Sequence, residues 1–485
     1  MPERSRRDLA LVGLIAVAAW VIHLTAPSDQ LDDDQLKPWG YVADIVLHGK
    51  WLAQVDYEGA QMSKPPLYQW LCAALAESGL GVSPLAMYLP TGLAMIGTSL
   101  LVCWMGAGWF GRRVGLAAGI AFAVSPLTVK HMCTARTDAL FCFTITLGAL
   151  GAWHVWESIS TSRRAAACAW LLFCLGATLA CLTKGPLGIL LCALGLGAAV
   201  WERRRGGLTA WGILAAAIAA GVTLVWFLAA AAQAGQPLVD RMIGRELIGH
   251  ALGKEAESSI PFSRAYQPFF YLVTRMPVWG VLALIGSIAW FRRPAADDFT
   301  RRAERFCICW LMLGMIMFAA STHQRADLLL PLMPAAAILG CRVADRWLSV
   351  WAARSRTGTL AVRIAWPVVA IIGLAYAAFW NHVGRLKDAQ VIETRAIAAA
   401  AEKLKAIIAK DPGDIVFATG AWEAQFAFGM MVPGLETEQL AALPPTPHYV
   451  VYKVVDSAKY SSVGSVVAEP FKGGAWLIVR EPVAR

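Results

Sequence analysis

Apolar runs of 16 to 25 residues, separated by short charged stretches, govern what this 485-residue chain can fold into. A bilayer's hydrocarbon core is about 30 Å thick and takes roughly 20 apolar residues per helical crossing. Inside it every backbone amide must be satisfied within its own segment, so such runs become helices. Eleven are long enough or nearly so: 9–26, 83–106, 114–129, 138–156, 166–183, 185–201, 208–232, 269–290, 305–320, 326–342 and 362–380. Composition agrees, with 58% hydrophobic and 16% charged residues and a mean hydropathy of +0.54; soluble domains average about 45–50% and 25%. The expected fold class is an all-α polytopic membrane protein with about 11 transmembrane helices, and an ordinary soluble enzyme is excluded.

Charge tests the count, because Lys and Arg accumulate in short cytoplasmic loops. With the N-terminus inside, 20 of the 43 basic residues fall in cytoplasmic segments, against 8 acidic ones. The outer loops hold 12 basic and 14 acidic residues, and the tail from 381 holds 11 of each. The net charge of +10 therefore records topology and carries no signal for nucleic acid. The first run follows Arg4, Arg6 and Arg7 and is too long for a cleaved signal peptide, so it reads as an uncleaved anchor. Stretch 68–79 would invert every later loop if it crossed, and is expected as an interfacial helix in the first outer loop.

Two outer loops are long, 27–82 and 233–268. The organisation expected is a transmembrane domain over 1–380 and a small extracytoplasmic α/β domain over 381–485. In that tail a helical pattern at 384–410 precedes strand-like runs at Ile415–Ala418, Tyr449–Val455 and Ala475–Val479. The 11 cysteines lie almost all in apolar runs, with no CxxC, and read as buried hydrophobes.

Ionisable residues facing a membrane are costly and are read first as functional. They gather at the outer ends of the runs: Asp32, Asp33 and Asp34; Lys64; Arg136 and Asp138; Lys184; Arg241, Arg245, Glu246 and His250; then His323, Arg325 and Asp327. Cations at a bilayer surface suit a phosphate, and a facing carboxylate suits a general base. Each position also has a plainer reading. Asp32–Asp34 also reads as a solvated loop, Arg136 and Asp138 as a structural ion pair, Lys184 as a snorkelling side chain, Thr137 as a helix cap, and His250 and His323 as ordinary loop residues. HExxH, P-loop, GxSxG and GxGxxG motifs are absent, so a sugar donor outside the cytoplasm would be lipid-linked.

In order along the chain, Asp34-Gln35, Gly49-Lys50-Trp51, Lys64-Pro65-Pro66-Leu67, Leu89-Pro90, Gly111–Arg113, Ser125–Leu127, Arg136 with Asp138, Leu182–Pro186 and Leu329–Pro334 form a series. It resembles the membrane glycosyltransferases of the C superfamily, in the protein O-mannosyltransferase and aminoarabinose transferase group. The resemblance implies Asp34 as the essential acidic residue, a base toward the acceptor, with Asp33 second, and Lys64 on the donor phosphate; Lys184 or Arg325 is expected to help hold that phosphate. Arg136, Asp138, Arg245 and Glu246 are further candidates. Gln35, Ser63 and Leu247 depart from the pattern, which argues against that subgroup's divalent metal site and leaves sugar and acceptor open. The expected function is sugar transfer from a polyprenyl-phosphate donor to a glycolipid such as lipid A, another envelope glycan or a protein, at the inner membrane's outer face. The alternative is a transporter or flippase of a lipid-linked anion, which would place charge on both sides of a gate.

Overall fold

The structure, a computed structural model, describes residues 3–27, 29–30, 33–157, 163–249, 264–321, 324–442, 448–453, 465–468 and 476–480. Asp32, His250 and His323 lie outside the described residues, as do Val454, Val455 and Ala475. The helices containing Asp33 and Leu247 are described.

Helices dominate the chain. In order they are α1 (Glu3–Leu24), α2 (Asp33–His48), α3 (Leu67–Leu75), α4 (Pro84–Phe110), α5 (Arg112–Ala123), α6 (Pro126–Met132), α7 (Asp138–Glu157), α8 (Arg163–Lys184), α9 (Leu187–Ala193) and α10 (Gly197–Trp201). There follow α11 (Trp211–Ala234), α12 (Gln236–Val239), a π-helical segment Asp240–Gly249, α13 (Gln267–Arg275), α14 (Trp279–Arg292) and α15 (Asp298–Ala320). A 3-10 turn, Ala326–Leu332, leads into α16 (Met333–Arg354) and α17 (Arg356–His382).

Among the described residues eight helical segments are long and apolar enough to cross a membrane, and nine if the bent pair α5–α6 counts as one crossing. Four of the eleven apolar runs are not uninterrupted α-helices; one of them, 326–342, opens with the 3-10 turn Ala326–Leu332. The run 114–129 turns through 59° between α5 and α6, where Ser125 is extended and Pro126 lacks an amide proton. The run 185–201 is divided by a 3-10 turn, Leu194–Leu196. The run 269–290 breaks at Met276–Val278, around Pro277, with Val278 at φ +65°. The 14-residue α14 therefore rises about 21 Å at 1.5 Å per residue, less than the ~30 Å hydrocarbon core.

The chain divides into two compact units. The first comprises Met1–Thr25, Ser63–Leu71 and Tyr88–Asn381, the second Ala26–Met62, Cys72–Met87 and His382–Arg485.

In the first unit α7 and α8 pack most closely, and small residues permit it. A Cβ on Gly176 would lie 2.4 Å from the Gly148 amide nitrogen, and one on Gly148 would lie 2.3 Å from Cys192 Sγ. The two helices run antiparallel through this contact, so the first residue of α7 meets the last of α8. At the other end of α7, Glu157 accepts from Arg204 at 2.8 Å and Arg302 at 2.7 Å. Neighbouring ends carry Asp8 with Arg112, Glu202 with Arg301 and Arg305, Glu304 with Arg342, and Asp345 with Arg113. These are the arginines that the sequence places on the cytoplasmic side. Helices α11 and α17 bury little of themselves in the protein and carry exposed side chains such as Ile213, Val225 and Ile371, as lipid-facing helices do.

In the second unit α2 ends at Gly49, with φ +68°. Its buried Asp44 accepts from His48 Nδ1 at 2.8 Å and from the Val55 amide at 2.9 Å, and pairs with Lys50 at 3.2 Å. The Gly-Lys-Trp motif thus closes a helix. Further along the chain α18 (Ala389–Lys410) is capped by Asp388. Strands β1 (Asp414–Phe417), β2 (His448–Lys453), β3 (Ser465–Ala468) and β4 (Trp476–Arg480) form one sheet of order β1-β2-β4-β3. β1 and β2 are parallel, and the connection between them carries α19 (Trp422–Phe428) and α20 (Thr437–Ala441). Ala418, Leu440, Val450 and Tyr452 form a core there. β3 is a strand that the sequence reading did not name.

Candidate active site

A polar cluster gathers where α6, α7, α8 and the turn before α16 end. Gly185, at φ +87°, turns the chain out of α8 directly into Pro186. Lys184 is therefore held at the helix end, its Nζ 2.5 Å from Asp138 Oδ1 and 5.4 Å from the Phe141 ring centroid. Arg136 lies in the short loop between α6 and α7, with Nε 3.3 Å from Asp138 Oδ2 and a terminal nitrogen 3.1 Å from Asp327 Oδ2. Asp327 also accepts from Lys130 Nζ at 3.1 Å and lies 3.2 Å from His131 Nε2. Both carboxylates thus already have cationic partners.

Lys64 completes the set. Pro65 and Pro66 stiffen its segment immediately before α3. The side chain is half-buried and makes no hydrogen bond or ion pair among the described residues. Burial, then the neighbouring Lys184, hold its pKa below the usual lysine range, while Asp138 and Glu246 oppose the shift. Four cations, Lys64, Lys130, Arg136 and Lys184, thus accompany Asp138 and Asp327, which already have partners, and Glu246. Such a surplus suits an oxyanion with several acceptor oxygens.

Of the positions singled out from the sequence, Lys64, Arg136, Asp138, Lys184 and Glu246 fall within one electrostatic neighbourhood. Arg245 is exposed on the π-helical segment beside Glu246. Arg325 precedes the 3-10 turn that carries Asp327. Asp33 and Asp34 open α2, in the second unit. Lys130 and His131 escape the sequence reading, although they follow the run 114–129 as the other outer clusters follow theirs.

Thr137 does not cap α7 as expected: its Oγ1 is buried with no partner among the described residues, while its carbonyl accepts from the Phe141 amide at 2.9 Å. The departure at Gln35 has a structural reason. The buried amide donates to the Asp29 carbonyl at 3.2 Å, which an ionised glutamate could not do. Among the described residues no three His, Cys, Asp or Glu side chains gather as a divalent metal would require.

Residues 63–231 match the family described as dolichyl-phosphate-mannose-protein mannosyltransferase. The undecaprenyl phosphate-alpha-4-amino-4-deoxy-L-arabinose arabinosyl transferase of Pseudomonas aeruginosa (strain LESB58) is 27% identical over 342 residues, which are 68% of this chain and 59% of that protein. The enzyme of the same name from Pseudomonas paraeruginosa (strain DSM 24068 / PA7) is 28% identical over 315 residues, 62% of this chain and 53% of that one. The match thus spans less than two thirds of these relatives' length. Among solved structures, ArnT from Cupriavidus metallidurans bound to undecaprenyl phosphate aligns with a TM-score of 0.74 over 97% of each chain, at 15% identity. The oligosaccharyltransferase AglB from Archaeoglobus fulgidus, in complex with an inhibitory peptide and a dolichol-phosphate, aligns with a TM-score of 0.53 over 95% of this chain and 71% of that one, at 11% identity. At such identities the likeness is one of fold, and the fold is ArnT-like. The resemblance to aminoarabinose transferase-like membrane glycosyltransferases, stated from the motifs, holds.

Proposed function

We propose that the chain is an inner-membrane glycosyltransferase of inverting type, which moves a sugar from a polyprenyl-phosphate donor to an envelope glycolipid, another glycan or a protein. The observation that carries this reading is the Lys64 ammonium, without an ion pair among the described residues, in the electrostatic neighbourhood of Lys184 and Arg136. The acceptor's hydroxyl or amine attacks the anomeric carbon from the side opposite the phosphate, and Asp34, with Asp33 next to it, takes the proton. The bond from carbon to phosphate oxygen breaks, its electron pair stays with the phosphate, and Lys64 with Lys184 and Arg325 stabilises that charge. Arg136, Asp138, Arg245 and Glu246 shape the surrounding field.

The same reading includes eleven crossings, the N-terminus in the cytoplasm and the α18 and sheet segment as an extracytoplasmic α/β domain that shapes acceptor choice. The arginine partition supports that orientation. A transporter reading lacks comparable support, since the similar proteins carry transferase names.

Purified protein in lipid nanodiscs, given a polyprenyl-phosphate sugar, should release free polyprenyl phosphate. Asp34→Ala and Lys64→Ala should each slow release by about a hundredfold or more. Wild-type turnover in both variants would overturn the site, and no release with any donor of this class would overturn the function.

A further inference from the structure

The end of α7 opposite the polar cluster adjoins arginines with no part in that mechanism. There Glu157 accepts from Arg204 and Arg302, while Glu202 pairs with Arg301 and Arg305. The turn after α10 is fixed around these contacts. Trp156 Nε1 donates to the Arg204 carbonyl at 2.8 Å, and Gly206, at φ +60°, lies so close to the Trp156 carbonyl that no side chain would fit. Glu157 draws the Arg204 side chain inward. Arg203 and Arg205, on either side of it, stay exposed, with no ion pair or side-chain hydrogen bond among the described residues. Arg203 has φ +49°, a left-handed conformation that a residue other than glycine adopts at a cost and that the fixed turn imposes.

The neighbouring helix end repeats the arrangement. The Trp201 and Phe291 rings are 5.3 Å apart, which sets the end of α10 beside the end of α14. Arg203 follows Trp201 by two positions, and the exposed Arg292 and Arg293 follow Phe291 directly, so the three arginines share one corner. The surface leading from this corner toward the middle of the helices is apolar and open: Val200, Phe291 and Ile288 are 81%, 66% and 57% exposed. A surplus of arginine at one end follows from topology. Topology does not decide which arginines stay uncommitted, and these three stand over an apolar flank. A soluble anion would match the charge and leave the flank uncovered, whereas a phospholipid headgroup with its acyl chains matches both.

We propose that this corner binds an anionic diacyl phospholipid from the leaflet at that end, with the phosphate between Arg203, Arg292 and Arg293 and the acyl chains along Val200, Ile288 and Phe291. Guanidinium forks suit phosphate oxygens because two parallel N–H groups meet two acceptors. The bound lipid spans α10 and α14 and stabilises the folded chain by mass action. The inference uses neither the transferase reading nor the assignment of this end to the cytoplasm.

The test uses the full chain in detergent, with phosphatidylglycerol, phosphatidylcholine of the same acyl chains, or inorganic phosphate added. Native mass spectrometry should show phosphatidylglycerol retained about tenfold over phosphatidylcholine, and phosphatidylglycerol should raise the unfolding temperature more. Arg292→Gln with Arg293→Gln should lower that preference about fivefold or more. Arg163→Gln with Arg164→Gln, the same charge change on exposed arginines at the start of α8, should preserve it. Arg203→Gly keeps the test decisive if the first double variant fails to fold, because glycine adopts φ +49° without strain. Without lipid its unfolding temperature should equal or exceed that of the wild type, and with phosphatidylglycerol it should gain less. Equal retention of the two lipids, equal losses in the two double variants, an undiminished gain in Arg203→Gly, or equal stabilisation by inorganic phosphate alone would each overturn the inference.

Discussion

Arg136 and Asp327 meet at 3.1 Å across 191 positions of sequence, and the same guanidinium reaches Asp138 at 3.3 Å. One fork thereby ties the start of α7 to the turn before α16. The side chains are 11% and 8% exposed, so each charge depends on the other for its place in the protein. Removing one partner of an isolated buried pair costs about 3–5 kcal/mol; here Asp138 remains for Arg136, and Lys130 and His131 remain for Asp327, so each single loss should be smaller. Asp327→Asn should lower the unfolding temperature more than Arg136→Gln, since Lys130 and His131 also lose the carboxylate charge that they face. The double variant should lose less than the sum of the two, which a thermal double-mutant cycle reads directly.

Lys64 should impose an alkaline limit on donor binding. Burial and Lys184 favour its neutral form, so its pKa lies below that of an ordinary lysine. Phosphate needs the charged form, which is present below the lowered pKa and lost as pH rises through it. Donor affinity should therefore fall at a lower pH than an ordinary lysine would dictate. Lys64→Arg should move the loss upward, because guanidinium stays charged throughout the accessible range. Identical alkaline limbs for the two proteins would separate Lys64 from donor binding.

Gly148→Val should damage the site from a distance. The added side chain would enter space within 2.3 Å of Cys192 Sγ, where α7 and α8 are already in contact through Gly176. Overpacking of this kind costs about 1–3 kcal/mol. Here it also pushes apart the helix ends that hold Asp138 against Lys184. Turnover should fall together with thermal stability, whereas Gly108→Ala, with open space around its Cβ position, should change neither beyond a helix-propensity effect.

Asp56 in the second unit gives a pH-dependent stability of definite sign. Its Oδ1 accepts from the Glu58 amide at 3.0 Å and the Ala60 amide at 2.9 Å, yet burial outweighs these bonds and raises its pKa above the ordinary 3.8. The folded chain therefore binds this proton more tightly than the unfolded chain. The resulting stabilisation is full below about pH 3.8 and is lost as pH rises through the raised value. Asp56→Asn should flatten the thermal stability profile across that window.

Much of the architecture was legible before any coordinates. The apolar runs predict the helices because a bilayer tolerates little else, and the alternating arginines predict two ends with different character. Glu157 and Asp138, at opposite ends of α7, duly belong to an arginine network and to the phosphate-site candidate. Ordered motifs such as Lys64-Pro65-Pro66 and Leu182–Pro186 marked the loops that carry the cations. The breaks at Ser125 and Val278 were not legible, since hydropathy averages over a window and does not register a single kink. His131 was missed because a lone histidine after an apolar run has no pattern of its own.

The sequence by itself determined that this chain is a many-helix membrane protein, which residues fall at each end of its helices, and which chemistry the motifs resemble. Only the tertiary structure decided that Asp138 faces Lys184, that Asp327 collects Lys130, His131 and Arg136, and that Lys64 lies in their neighbourhood with no ion pair among the described residues. The physical reason is range. Hydropathy and loop charge act through each segment's own contact with lipid or water, so they are written locally. An ion pair depends on which helix ends coincide, and here glycine contacts between α7 and α8 bring the ends together.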